Sequence, residues 1–307
     1  MTFPSLPLRE GLKGRGTDEE SGMEVRILGS GGSEGIPAFL CRCRVCAEAR
    51  WLGGREIRQN ACAHVTLASG QGILLDMPPQ FKMAWDRSRL DAEKLAAILI
   101  THRHEDHTLG LKYLIDAVPR NGFVQAKAVT AYLPADVLTG RLQGLDPKND
   151  YPPAGRQAPF VRFLPITAYE PIPLGGCRVT PLETNHLRPH GDAEGGETLG
   201  YLFEDADGTR MAYMVDAPPD LPARTVEILS AAPLDCLIHE CTFERPSTPG
   251  HTDIKSLIGI RRRFSPRMLV ATHISHQNLG HRDLIKALVG EKIRVAYDGM
   301  KLSVGRR

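Results

Sequence analysis

Apolar residues along this chain recur mostly with a period of two, in short runs that predict strands. Residues 23–28 (Met-Glu-Val-Arg-Ile-Leu) form the first. Residues 63–68 and 72–76 alternate on either side of Ser69-Gly70 and predict a hairpin. The unbroken apolar run 95–100 predicts a buried strand. Further strands are expected over 126–131, 177–182, 198–203, 210–215, 234–239 and 267–272, with 198–203 and 210–215 joined as a hairpin through Asp205-Ala-Asp-Gly208. Helical spacing is confined to 81–89, 109–118, 134–142 (opening on Pro134) and 254–264. Residues 1–22 show no periodicity and are expected to be an irregular tail outside the fold. The stretch 144–159, rich in Pro, Gly, Asp and Asn, reads as an exposed excursion, a lid or a contact with another subunit.

The chemistry lies where the strands end. The strand over 95–100 runs directly into Thr101-His-Arg-His-Glu-Asp-His107. His102 and His104 project to one side of an extended segment, whereas Asp106 and His107 turn into the next helix and face a second point. Imidazole nitrogen with carboxylate oxygen is the ligand set of zinc or manganese, and ligands on two faces suggest a pair of ions. Later strands each deliver a metal-competent side chain at or just past their ends: Asp76, His186, Asp216, Glu240, and His273 with His276 three residues on. This recurrence predicts one composite site at one rim of packed sheets, hence one domain over 23–307. Asp76 is expected either to turn the chain or to orient a ligating histidine. His190 follows a proline and is expected at the surface.

Cys41, Cys43 and Cys46 are spaced as Cys-x-Cys-x-x-Cys, which predicts a structural metal, most often zinc. Its fourth ligand is open among His276, Cys62, His64, Cys177, Cys236 and Cys241. The turn Gly29-Ser-Gly-Gly-Ser-Glu-Gly35 lacks the Lys-Ser/Thr ending of a nucleotide loop, and is expected to bring backbone close to a metal centre or substrate. Arg50, Arg55 and Arg58, and the run Arg261-Arg-Arg263, read as solvated faces.

Composition narrows the partners. The 307 residues are 42% hydrophobic, enough for a substantial core, and carry a net charge of +2, which gives no global reason to expect nucleic acid or an anionic membrane. No apolar run approaches the roughly 18 residues of a membrane helix, and the N-terminus does not read as a secretory signal. Seven cysteines suit a reducing cytosol with metal-bound or buried thiols.

His102, His104, Asp106 and His107, followed at a distance by His186, Asp216 and His273, resemble the metallo-β-lactamase superfamily. The resemblance covers about residues 23 to 304. It implies an α/β (α+β) fold, a four-layer αββα sandwich with a dinuclear site at one edge. His102, His104 and His186 would hold one divalent ion, Asp106, His107 and His273 the other, and Asp216 would bridge them. Within the superfamily the chain is similar to the phosphodiesterase that accompanies the carbon–phosphorus lyase pathway. The shared features are Gly29-Ser-Gly-Gly32, the three-cysteine insertion, Thr272-His-Ile-Ser-His-Gln277 and Tyr297-Asp-Gly-Met300. That likeness implies a structural zinc on Cys41, Cys43, Cys46 and His276, and a histidine at the position of His251. Leu237-Ile-His-Glu-Cys-Thr-Phe243 with Gly250-His-Thr252 also looks like ribonuclease Z, but that enzyme's basic, glycine-rich arm has no counterpart here.

The expected function is hydrolysis of a small phosphodiester, cyclic (ribosyl 1,2-cyclic phosphate-like) or nucleotide-like, by water activated between two ions, zinc or manganese. His251 is the expected proton donor, oriented by Glu240, and Asp106 is expected to serve both as ligand and in catalysis. The alternatives are a ribonuclease Z-like RNA endonuclease, a thioester or lactone hydrolase, and a non-catalytic metal-binding accessory protein similar to one in pyrroloquinoline-quinone synthesis. A small-molecule substrate, a cytoplasmic location and no membrane partner are expected, and a homodimer is left open.

Overall fold

The fold is that of a computed structural model, described over residues 22–116, 128–141, 161–186 and 196–305. The expected tail up to Ser21, most of the 144–159 excursion's flanks and the excursion itself, and His190 lie outside the described residues. Two seven-stranded sheets dominate. The first comprises β1 (Met23–Gly29), β2 (Cys62–Thr66), β3 (Gly72–Leu75), β4 (Leu95–Leu99), β5 (Val129–Leu133), β6 (Val161–Pro165) and β14 (Lys301–Val304), in the order β14-β1-β2-β3-β4-β5-β6. The second comprises β7 (Ile172–Leu174), β8 (Cys177–Glu183), β9 (Leu199–Glu204), β10 (Arg210–Met214), β11 (Cys236–Glu240), β12 (Met268–Thr272) and β13 (Ile293–Val295), in the order β13-β12-β11-β10-β9-β8-β7.

Each sheet is antiparallel in one half and parallel in the other. Pairing is parallel along β3-β4-β5-β6 and along β10-β11-β12-β13. Parallel neighbours end on the same side, so the C-terminal ends of both parallel halves can share one rim.

Strand alternation sorts the core into layers. Val25, Ile27, Ile73, Leu75, Ala97 and Leu99 of the first sheet pack against Val179, Tyr201, Phe203, Tyr213, Ile238 and Val270 of the second. The intervening residues Leu74 and Ile98 point the other way, onto Leu111 and the partly buried Phe81 and Trp85. These belong to helices α2 (Phe81–Ser88) and α4 (Leu111–Asp116), which follow the one-turn helix α3 (Glu105–Thr108) in the case of α4. On the far side, Leu237, Leu269 and Ala271 pack under α1 (Arg44–Leu52), α5 (Ala223–Ser230), α6 (Ile254–Phe264) and α7 (His281–Leu288) through Ala49, Leu229, Leu257 and Leu284. The layers therefore run helix, sheet, sheet, helix. This explains why β3 and β4 are apolar throughout: both faces are covered.

Helix α6 has the bounds its spacing predicts. Asp253 accepts from the Ser256 amide at its start, and Arg261, Arg262 and Arg263 occupy its last turn, where cations complement the helix dipole. Elsewhere local chemistry moved boundaries. The strand expected over 126–131 is β5, shifted toward Leu133. The helix expected over 109–118 is divided into α3 and α4, because the turn carrying Asp106 and His107 closes first. The segment 134–142 contains a π-helical stretch, Val137–Arg141. Arg58 corrects one expectation outright. It is 2% exposed, not solvated, and its guanidinium donates to Ser30 Oγ at 2.7 Å, the Ala296 carbonyl at 2.6 Å and His281 Nδ1 at 2.9 Å.

The rim is shaped by three non-glycine residues in the left-handed region, just past strand ends: Asp76 (φ 63), Asp216 (φ 46) and His273 (φ 52). That conformation is unfavourable for residues with a Cβ, and it turns each side chain sharply off the strand direction.

Candidate metal centre

The loop after β4 is anchored before it reaches the histidines. The Thr101 amide and hydroxyl both donate to Asp76, at 2.8 and 3.0 Å, and the Leu199 amide donates to the Thr101 carbonyl at 2.9 Å, tying the loop to the second sheet. From this anchor His102 and His104 lie side by side, ring centroids 4.5 Å apart. His186, beyond β8, brings its Nε2 to 3.3 Å from His104 Nδ1, with its own Nδ1 2.8 Å from the Gly250 carbonyl.

His107 Nδ1 is held 2.8 Å from Asp76 Oδ2, so its Nε2 faces inward, 3.2 Å from Asp106 Oδ2 and 3.0 Å from Asp216 Oδ2. His273 Nε2 approaches Asp216 Oδ2 at 3.3 Å and Asp106 Oδ2 at 3.7 Å. Asp216 Oδ1 reaches the other triad, 3.7 Å from His186 Nε2. Potential ligand atoms of His102, His104 and His186, and those of Asp106, His107 and His273, each fall within 4.8 Å of one another. All seven residues singled out in the sequence are thus gathered at one rim.

Whether this cluster fits metal is tested by its unmet polar atoms. His102 Nε2, His107 Nε2, His273 Nε2 and Asp216 Oδ2 are buried without a hydrogen-bond partner, although carboxylates lie close to two of the imidazoles. Buried polar atoms are ordinarily satisfied, so atoms that converge without bonding one another suit a cation placed between them. The opposite ring nitrogens are engaged: His107 by Asp76, His102 by Thr101 at 3.0 Å, and His273 by Thr242 at 3.0 Å. Such contacts fix the ring orientation a ligating histidine needs.

The charges are strongly biased. Burial pushes His102 and His104 below the ordinary imidazole value. Burial alone would raise Asp216, but His273, His186, His107 and His102 outweigh it and hold the carboxyl well below its ordinary range. Asp106 is likewise lowered against its burial, by His107 and His273. His107 is raised despite burial by Asp106, Asp76 and Asp216. Divalent cations would take the place of such protons, so metal uptake should release protons and tighten as pH rises.

Beside the cluster, His251 Nδ1 sits 3.0 Å from Glu240 Oε2 and 3.5 Å from Asp216 Oδ1. Burial would lower this imidazole, but Glu240 and then Asp216 and Asp106 raise it to about 9. Glu240 is fully buried and is held in place by the Ala217 amide at 2.7 Å and by the Thr242 hydroxyl. His251 opens onto a cavity of about 250 Å³ that also exposes His104, Asp216, Phe243, Ser33 and Gln277. Thr101, Thr242, Phe243, Ser33 and Gln277 carried no signal in the sequence as site residues. The glycine-rich turn makes its tightest approach elsewhere than expected: a Cβ at Gly29 would lie 1.9 Å from the Asn60 carbonyl, whereas one at Gly32 would meet His273 at an ordinary 3.6 Å.

The cysteine cluster is a second candidate. Cys41, Cys43, Cys46 and His276 form one group, with His276 Nδ1 3.4 Å from Cys41 Sγ and 3.6 Å from Cys43 Sγ. The other candidates for the fourth position, Cys62, Cys177, Cys236 and Cys241, are buried in the apolar layers, and His64 stacks edge-on with Trp85. Burial raises the Cys46 thiol to about 12, a value that only a cation would be expected to overcome, whereas the Cys43 amide and thiol lower Cys41.

The chain matches the profile of a β-lactamase superfamily domain over residues 73–274. It is 27% identical over 288 residues to an octanoyltransferase of Porphyromonas gingivalis, covering 93% of this chain but 52% of that protein. It is 29% identical over 209 residues to coenzyme PQQ synthesis protein B of Methylobacterium nodulans, covering 62% of this chain and 64% of that protein. The chain thus spans between half and two thirds of these two relatives. A ribonuclease Z of Metallosphaera sedula is 24% identical over 283 residues, with 76% of this chain and 89% of that one covered. Among solved structures, a diphosphatase from the PhnP family superposes with a TM-score of 0.72 at 26% identity, over 91% of this chain and 97% of its own. No helix among the described residues is long and apolar enough to cross a membrane.

Proposed function

The chain belongs to the metallo-β-lactamase superfamily, and from that premise we propose that it is a metal-dependent phosphodiesterase acting on a small or cyclic diester. Hydrolase chemistry is the common property of this superfamily. The finer assignment is supported by the likeness to the PhnP-family diphosphatase, and above all by the pairing of His251 with Glu240 at the mouth of the histidine–aspartate cluster. His102, His104 and His186 would hold one divalent ion, Asp106, His107 and His273 the other, with Asp216 between them. Zinc or manganese bound there would lower the pKa of a water and offset charge building on the phosphoryl oxygens.

The residues around this pair supply the remainder. Hydrolysis breaks the P–O bond to an alcohol whose alkoxide is a poor leaving group, so a proton must be delivered as that bond breaks. His251 keeps one through neutral pH, because Glu240 and Asp216 stabilise the imidazolium, and its Nδ1 is turned to those carboxylates, leaving Nε2 for the substrate. The cavity of about 250 Å³ suits a compact diester more than a folded RNA.

Asp76 acts one step back. Asp76→Ala should weaken divalent-metal retention about ten- to hundredfold, because His107 loses the acceptor that fixes its ring. Equilibrium dialysis against a chelator measures this, and unchanged retention would remove the orienting role. His276→Ala should release the metal of the cysteine cluster, one ion per chain by mass spectrometry, and lower the melting temperature while the histidine–aspartate cluster keeps its metal. Loss of all metal at once would contradict two separate sites.

Acyl hydrolysis is the second reading, favoured by the octanoyltransferase likeness over 93% of this chain. A side-by-side assay of cyclic diesters, linear diesters and thioesters separates the two. Turnover of thioesters alone would replace the phosphodiester reading.

A further inference from the structure

The metal centre leaves one side of the cysteine-bearing segment unexplained. Phe39 is 89% exposed, Leu40 80% and Trp51 87%, with Leu52 beside it at 43%. Isolated apolar side chains on a surface are unremarkable, but these are held together. Arg50 donates to the carbonyls of Ala38, at 2.8 Å, and of Cys41, which clamps the loop bearing Phe39 and Leu40 against the helix bearing Trp51. Leu40 also occupies the left-handed region (φ 58), an unfavourable backbone for a residue whose side chain then meets no core.

Next to Trp51 lies a groove of about 470 Å³ between α1 and α7, floored by Ala47 and Leu52. Its charged rim is balanced: Arg44, Arg282 and Lys286 face Glu48, Glu56 and Asp283. These charges are paired within the chain, Arg44 with Glu48 at 2.8 Å and with Asp283, Lys286 with Asp283 at 3.1 Å, and Arg282 with Glu56 at 3.8 Å. A nucleic acid or an anionic membrane would require an excess of basic side chains here. A second copy of this chain would not, since a balanced rim meets its own image without net repulsion.

We propose that this face is the interface of a two-fold homodimer in which Trp51 of each copy enters the groove of the other. The argument is self-complementarity. A two-fold axis brings a patch against itself, so a patch carrying both knob and hole satisfies both at once. Tryptophan is the residue most often found at the energetic centre of such contacts. The proposal stands independently of the phosphodiester reading. It also places the interface on the segment that Cys41, Cys43, Cys46 and His276 hold together.

The test is sedimentation velocity of the full chain over a micromolar to high-micromolar range. The wild type should sediment as twice the 33.7 kDa chain, and Trp51→Glu should raise the dimer dissociation constant more than about thirtyfold. Phe39→Asp, in the loop rather than the helix, should do the same, so a folding defect in one variant leaves the other to decide. Met83→Ser, at another exposed apolar position (56%), should leave the dimer intact. A wild type that stays monomeric at the highest concentration overturns the proposal, as does a dimer that survives both charged substitutions with unchanged melting temperature.

Discussion

Replacing Asp216 by alanine should lower turnover on the order of a thousandfold, about 4 kcal/mol of transition-state stabilisation, with loss of metal from the histidine–aspartate cluster. The expectation rests on position. Asp216 is 2% exposed and touches both triads, through Oδ2 to His107 and His273 and through Oδ1 to His186. Removing it leaves a crowd of imidazoles with much less anionic charge to hold cations together. Asp216→Asn keeps the shape and removes the charge, and should lose nearly as much. The backbone turn should persist in both, because Thr184 donates to the Asp216 carbonyl rather than to the side chain, at 2.9 Å.

A metal-free consequence accompanies this. The Asp216 carboxyl is held well below its ordinary 3.8, so its ionised form stabilises the fold above that value, and this contribution fades as pH falls through the lowered one. The alanine variant should therefore melt earlier than the wild type at neutral pH, and the gap should narrow in strong acid. Metal analysis, kinetics and melting curves each read a different part of the prediction.

The second large effect is expected at His251. His251→Ala should reduce turnover of diesters with alkyl or sugar leaving groups by about 10²–10⁴, and that of nitrophenyl esters far less, because nitrophenolate departs without a proton. Metal content should not change. Equal losses on both substrates would remove the proton-donor role. The pH profile supplies an independent check. His251 lies at about 9 against an ordinary 6.5, so the donor is present below that upper value and is lost as pH rises through it. Cations that engage Asp216 and Asp106 would draw the value down and leave Glu240 as the main support. The alkaline limb of the active enzyme should then fall between about 6.5 and about 9, and Glu240→Gln should move it lower.

The raised value also bears on stability. A His251 that binds its proton more tightly folded than unfolded contributes fully below 6.5, and the contribution disappears as pH climbs through about 9.

How much of this site could be read in the sequence depended on the distance over which each contact is made. His102, His104, Asp106 and His107 fall within six residues, and strand-then-turn geometry was enough to aim them at two points. Asp216 and His273 are far away along the chain, yet each follows an apolar strand, so the strand pattern carried them. Asp76 was legible as a choice of two roles, and it fills both: a left-handed turn residue and the acceptor for His107.

Hydroxyls were silent. Thr101 and Thr242 orient His102 and His273, but threonine is common at strand ends and announces nothing by spacing. Arg58 was misread for a related reason. Its partners Ser30, Ala296 and His281 lie 28, 238 and 223 residues away, and an arginine is legible as buried only once such partners are known. Helices α1, α5 and α7 escaped notice because they are nine, eight and eight residues long, too short for helical spacing to stand out from flanking loops. The layered fold was nonetheless legible, since β3 and β4 are uniformly apolar and β8 to β12 end one after another in polar, metal-competent residues.

The most direct measurement is a metal titration of chelator-stripped protein, with bound zinc or manganese and turnover of a cyclic phosphodiester followed in the same samples. Activity should rise with metal and level off when two ions per chain have bound beyond the one held by the cysteines, and Asp216→Ala should stay inactive throughout. Full diester turnover by stripped protein, indifferent to added metal, would contradict the account at its root.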